Sequence, residues 1–299
     1  MISLTAAVLT GAILASCTKT VAPSGKPLIA VSILPQTWFV NRIAGDRVET
    51  VTLVGSGQDP HSWEPSPRQM ELFNRADAWI LSGTDFERAL VSRVQRQNPS
   101  LKIVDGTEGV TFRTLENHAH AGEGEKNGGD HEEPAGSLEL DRHTWLGREP
   151  AKILAGQVAK TLAELDPANA ATYEANLASA RAEIDSAYDR LGADLADLAG
   201  TRVFVYHPSF GYFLDEFGIT QEAVETGGKE PTARHLAELI DEARAERPAA
   251  IFVQAQFPAS AAKTVADAIG AAVIPLDPLA PDWLDNVARI GETLKGANR

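Results

Sequence analysis

Short apolar runs and amphipathic stretches alternate along this chain twice, once on each side of a single long helical stripe. That alternation restricts the fold more than any other feature. Residues 28–33, 48–54, 78–81 and 101–104 are short, valine- and isoleucine-rich runs that read as strands. Between them, 36–44 reads as a helix closed by Gly45, Pro67 opens a second, and 85–95 forms a third. The second half repeats the pattern with strands at 202–206, 219–225, 250–253 and 271–276. One helix there is capped by Thr232, and a last one is opened by Pro281 and Asp282. Strands alternating with helices predict parallel sheets with helices packed on them, an α/β fold in two lobes.

Between the halves, residues 151–165 carry a helical pattern, and a second, longer one runs from Asp166-Pro167 to Gly200. In it Tyr173, Leu177, Ala180, Ile184, Tyr188, Leu191, Leu195 and Leu198 recur every three or four residues. Thirty residues of helix extend about 45 Å at 1.5 Å per residue, which suits a rigid strut between lobes. A coiled-coil dimer ranks lower, because the stripe is alanine-rich and its flanks lack a regular charge code. The expected organisation is an N-terminal lobe over 28–165, a linking helix over 166–200 and a C-terminal lobe over 201–299, in a monomer.

Ligands of open parallel sheets bind beyond the carboxyl ends of the strands. His207, Glu225, Gln254 and Asp277 each follow a predicted strand. His61 follows a glycine loop and is stiffened by Pro60 and Pro65, and His143 precedes a helix. Together His61, His143, His207 and Asp277 would make a four-ligand site for a borderline divalent metal, with zinc the first guess. The single cysteine excludes a thiolate site or a disulfide framework. Each motif alone is equally a rigid turn with an incidental histidine, a helix cap with an exposed imidazole, or a common Asp-Pro turn. Phe210, Tyr212 and Phe213 read as core and as candidate walls of the site. With one anionic ligand, a bound ion keeps about one positive charge, which Asp59, Glu64, Asp141 and Glu225 are placed to offset. His235 lies on an amphipathic helix, reads as exposed and takes no role.

In 299 residues the net charge is -14, which makes nucleic acid a poor partner. The first seventeen residues are apolar and too short to span a membrane, ending in Leu14-Ala15-Ser16-Cys17. That is the pattern of a bacterial lipoprotein signal, with Cys17 the lipidated residue, although no Lys or Arg precedes the apolar run. Residues 18–27 read as a polar tether. Residues 116–136 are low-complexity, with His118, His120 and His131 among Glu, Asp and Gly, and read as a surface loop that collects cations weakly or merely solvates.

The motifs taken together resemble the substrate-binding proteins of bacterial zinc- and manganese-uptake ABC transporters, the metal-binding cluster A-I family. The resemblance is carried by Asp59-Pro60-His61 with Glu64-Pro65-Ser66-Pro67, by Asp141-Arg142-His143-Thr144-Trp145 and by Tyr206-His207 with Gly211-Tyr212-Phe213. Gly228-Lys229-Glu230-Pro231 and Leu276-Asp277-Pro278-Leu279 complete it. It implies two α/β lobes bridged by one long helix with the metal between them. His61 and His143 would be the ligands of the first lobe, His207 and Asp277 those of the second. It further implies an extracytoplasmic location, a membrane permease as partner and no enzymatic activity. A histidine at the third position and a His-rich insertion are features of the zinc branch, with manganese the alternative cargo. The chain departs from the family pattern at Arg142, where proline is usual, at Gly147-Arg148 in place of Asp-Pro, and at Pro208-Ser209 in place of Asp-Ala.

Two other functions compete. A histidine zinc site with an open position would activate water for hydrolysis, but four protein ligands would close it. A surface adhesin or structural lipoprotein would use the metal only to hold its fold.

Overall fold

The computed structural model describes residues 25–115, 140–225, 231–257 and 259–297. The expected signal, Cys17 and most of the tether lie outside them. So do His118, His120 and His131 with the rest of the predicted loop, and residues 226–230, which include Gly228, Lys229 and Glu230 of the Gly228–Pro231 motif.

The first lobe alternates β1 (Leu28–Ile33), α1 (Gln36–Ala44), β2 (Glu49–Val54), α2 (Pro67–Arg75), β3 (Ala78–Leu81), α3 (Asp85–Gln97) and β4 (Lys102–Asp105). Its four strands are all parallel, in the order β2-β1-β3-β4. Local chemistry sets the ends of these elements. Gly45, at φ 62°, ends α1. Ser66 caps α2 in a capping box with Gln69, ahead of Pro67. Gln36 is fully buried and ties β1 to β3. Its Oε1 accepts from the Ser32 and Ile33 amides, and its Nε2 donates to the Ile80 and Leu81 carbonyls.

Two helices then cross between the lobes, α4 (Arg148–Leu165) and α5 (Ala170–Asp194). The predicted strut is α-helical over 25 residues and continues as single 3-10 turns at Pro167–Asn169 and Ala196–Leu198. Every residue of the predicted stripe is buried. The second lobe runs β5 (Arg202–Val205), α6 (Gly211–Asp215), β6 (Thr220–Ala223), α7 (Ala233–Glu246), β7 (Ala250–Val253), α8 (Ser260–Ile269), β8 (Ala272–Pro275) and α9 (Trp283–Ala297). Its sheet repeats the first, parallel in the order β6-β5-β7-β8.

Neither α6 nor α8 is expected from the sequence. Helix α8 buries only Ala262, Val265 and Ala266, and a face of such small residues gives little periodic signal.

The lobes share a core. The stripe of α5 packs against α1, α4 and α9, so it is covered within the chain. Helix α9 reaches back to the first lobe, where Trp283 lies 5.2 Å from the ring of Trp38 and 4.8 Å from that of Phe39. A second cluster, built on Phe204, Tyr206, Val224, Leu239 and Ile251, lies within the second lobe. At Gly291, α9 packs close against α5: a Cβ there would lie 2.2 Å from Leu191 Cδ2. Gly291→Ala is therefore expected to cost about 1–3 kcal/mol by overpacking. Urea unfolding should show a lower midpoint with an unchanged slope.

Candidate metal centre

The carboxyl ends of both sheets face one cleft, and three imidazoles meet there. His61 is held in the loop after β2, where Asp59 Oδ1 accepts its backbone amide at 2.9 Å and Asp59 Oδ2 accepts from the Ser62 hydroxyl at 2.8 Å. His143 stands immediately before the 3-10 turn Thr144–Leu146. His207 follows β5. Its backbone is clamped by the fully buried Gln254, which accepts from the His207 amide at 3.2 Å and donates to its carbonyl at 2.6 Å.

The His207 Nε2 lies 3.1 Å from His61 Nε2 and 3.0 Å from His143 Nε2. Among the described residues, these three form the one group of three or more His, Cys, Asp or Glu side chains whose metal-binding atoms all lie within 4.8 Å of one another.

The far side of two rings is occupied by buried carboxylates. His143 Nδ1 donates to Asp141 Oδ1 at 2.8 Å, and His207 Nδ1 donates to Glu225 Oε1 at 2.7 Å. Asp141 is 0 % exposed and Glu225 5 %. These bonds place each ring's proton on Nδ1 and leave the Nε2 lone pair facing the other ring. Two acceptor nitrogens 3.0 Å apart repel unless a cation lies between them. Burial holds both His207 and His61 below the ordinary imidazole range, and each is lowered further by a neighbouring histidine. A neutral ring is the form that binds a metal. Nitrogens each 2.0–2.1 Å from a tetrahedral zinc would lie ~3.3 Å apart, close to the 3.1 and 3.0 Å that separate His207 Nε2 from the other two.

The ZnuA family model, described as zinc-uptake complex component A, periplasmic, matches residues 29–297. The chain belongs to the ZnuA family. Proteins of this family are periplasmic metal-binding transport components, not enzymes. The chain is 27 % identical over 282 residues to the zinc-binding lipoprotein AdcA of Streptococcus pneumoniae, covering 93 % of this chain and 55 % of AdcA. It is 32 % identical over 149 residues to the high-affinity zinc uptake system protein ZnuA of Brucella abortus, covering 49 % of this chain and 45 % of that protein. It thus spans about half the length of these curated relatives. The crystal structure of a ZnuA superposes with a TM-score of 0.82 at 34 % identity, over 92 % of this chain and 100 % of the other. The two-lobe α/β architecture read from the sequence is that of this family.

Other residues of this ZnuA-family chain behave less simply. Asp277, the expected fourth ligand, follows β8 but lies outside the imidazole group. Its Oδ1 accepts from Gln256 Nε2 at 3.2 Å and from the Leu279 amide at 2.9 Å. Its neighbours Pro278 and Leu279 line the cleft. Of the carboxylates expected around the ion, Asp141 and Glu225 hold the rings, Asp59 holds the His61 loop, and Glu64 is exposed. Phe210 and Phe213 are buried in the core and do not wall the site. The aromatic walls are instead Trp145, 5.4 Å from the His143 ring, and Phe257, 4.7 Å from that of His207. His235 is half-buried on α7, not exposed.

The sequence gives no warning of the supports that cross between lobes. Arg113 Nη1 donates to Asp141 Oδ2 and its Nε donates to Asp215 Oδ2 on α6, both at 2.8 Å. Tyr212 donates to the Asp141 carbonyl at 3.0 Å. Trp145 Nε1 donates to the Pro278 carbonyl at 2.8 Å, while Trp283 Nε1 donates to the Trp145 carbonyl at 2.7 Å. A basic residue near a low-complexity loop and a tryptophan after His143 are the only signals present for these contacts, and neither specifies a partner.

Proposed function

We propose that this chain captures a zinc ion between its lobes on His61, His143 and His207, recruits Asp277 as the fourth ligand, and delivers the ion to the membrane permease of an ABC importer. One observation carries the reading. Two buried imidazoles, each with Nδ1 committed to a carboxylate, aim Nε2 lone pairs at each other across 3.0 Å, with a third ring beside them.

Charge agrees. A divalent ion facing three neutral rings is balanced by Asp277 as ligand and by the buried Glu225 carboxylate behind His207, while Asp141 is paired with Arg113, so the cleft can hold the ion dry. Three nitrogens favour zinc over manganese, which prefers oxygen. The cargo is held and released, with no reaction on it. The shared core and the hydrogen bonds of Trp145 and Trp283 support a small closing motion on loading.

The lipid anchor at Cys17, the monomeric state and a weaker, cation-collecting role for His118, His120 and His131 complete the proposal. Among the described residues no helix is long and apolar enough to cross a membrane.

The test is a titration of metal-free protein against a calibrated chelator, read by tryptophan fluorescence, since Trp145 adjoins His143. The expected result is one tight zinc equivalent, weakly challenged by manganese and retained when 116–136 is deleted. Manganese binding as tight as zinc, or loss of the tight equivalent in the deletion, would overturn the reading.

A further inference from the structure

The one carboxylate expected to join the imidazole group, Asp277, is instead bonded to Gln256. Gln256 lines the same cleft as the three histidines, in the segment between β7 and α8. Its Nε2 donates to Asp277 Oδ1, the oxygen that also accepts the Leu279 amide. Its Oε1 is buried and has no hydrogen-bond partner among the described residues. An amide held this way is under opposing pulls. The bond to a carboxylate is charge-assisted and favourable, whereas a buried acceptor without a donor is unfavourable. The hold on Asp277 is therefore real but weak enough to release.

We propose that Gln256 is a specificity-determining residue: it keeps the Asp277 carboxylate out of the imidazole cluster and so sets how readily a bound ion gains an oxygen ligand. This rests on the zinc-capture reading above. With Asp277 restrained, the site offers three nitrogens, which suits zinc. Each ion that takes the carboxylate must first break the Gln256 bond. Zinc is already held by the three nitrogens before it recruits Asp277, whereas manganese, which binds nitrogen weakly and depends on anionic oxygen, needs the carboxylate from the outset and so bears that cost in full. Gln256 thus acts on selectivity through Asp277 and does not touch the ion itself.

Three further features support a device of this kind. Asp277 is fixed at its backbone, because its carbonyl accepts from Asn286 Nδ2 at 2.7 Å, so only its carboxylate is free to choose partners. Pro278 and Leu279 form part of the cleft wall, which places Asp277 beside the imidazole group. The Trp145 bond to the Pro278 carbonyl ties that same segment to the residue that packs on His143.

The test compares zinc and manganese affinities of the full chain, Gln256→Ala and Gln256→Ala/Asp277→Asn, by chelator competition. Gln256→Ala is expected to tighten manganese about tenfold and zinc by less, the loss of roughly one charge-assisted hydrogen bond. Adding Asp277→Asn should abolish the gain, and Gln256→Asn, whose shorter amide falls short of the carboxylate, should reproduce part of it. An unchanged zinc-to-manganese ratio in Gln256→Ala, or a gain that survives Asp277→Asn, overturns the proposal. Failure of the underlying reading is distinguishable, since the unsubstituted chain would then bind no tight zinc at all. Unchanged thermal melting of the metal-free variants excludes misfolding as the source of any change in ratio.

Discussion

His207→Ala is expected to lower zinc affinity by about 10³-fold. Structural zinc sites bind with about 10–16 kcal/mol shared over four ligands, so removing one costs roughly 3–4 kcal/mol, or two to three decades. Of the three proposed ligands His207 should show the largest effect, because its Nε2 is the atom that lies against both of the others. The substitution also strands Glu225, 5 % exposed, without its imidazole partner. A buried carboxylate losing a hydrogen bond costs about 1–3 kcal/mol, so the metal-free protein should melt lower as well. The two effects separate in Glu225→Gln. There an acceptor oxygen remains for His207 Nδ1–H while the charge is lost, so zinc affinity should fall only about 10–100-fold, as for other groups that orient a ligand. Chelator competition on the two variants, with His235→Ala as the control that keeps full affinity, checks the ordering.

Gly211→Ala is expected to destabilise the protein strongly. A Cβ at this position would sit 1.8 Å from Arg113 Nη1 and 2.9 Å from Asp141 Oδ2. The guanidinium would have to leave, although it is held by Asp141 on one side and Asp215 on the other. Asp141 would remain at 0 % exposure with its charge less compensated. Breaking a buried ion pair while leaving one partner inside costs about 3–5 kcal/mol. Because Asp141 also orients His143, zinc affinity should fall too, by about 10–100-fold. Arg113→Ala removes the same interaction without the clash. A double-mutant cycle should therefore show strong coupling, with Gly211→Ala adding little on the Arg113→Ala background. Additive losses would mean that the glycine acts through the α6 backbone and not through Arg113.

Much of this architecture is legible in the sequence, for a physical reason. Strands of four to six residues bounded by glycine, proline and caps signal locally, and the side chains just past their ends converge whatever the details of packing. That is why His207, Glu225, Gln254 and Asp277 could be placed on one sheet edge from spacing alone, and why Gly45, Pro67 and Thr232 mark helix ends correctly. The two carboxylates behind the rings follow less directly: Asp141 is two residues from His143, whereas Glu225 reaches His207 only because β5 and β6 are neighbours. What the sequence hides is whatever depends on one lobe meeting the other. Trp145 and Pro278 are 133 residues apart and Arg113 and Asp215 are 102 apart, and no local pattern pairs them. Gln256, the residue that restrains Asp277, carries no periodic or turn signal. Phe210 and Phe213, close to His207 in the chain, read as candidate walls of the site. These face the core, and Phe257 comes from a different strand end.

The central claim is that the ion is held by the three imidazoles whose Nε2 atoms face one another. Zinc X-ray absorption on the one-to-one complex of the protein lacking 116–136 tests it most directly, since that deletion leaves His61, His143, His207 and His235 as the only histidines. The account predicts a first shell of nitrogen and oxygen at about 2.0–2.1 Å with the outer-shell scattering of three imidazoles. Scattering from one imidazole or none, on a protein that still binds zinc tightly, would contradict it.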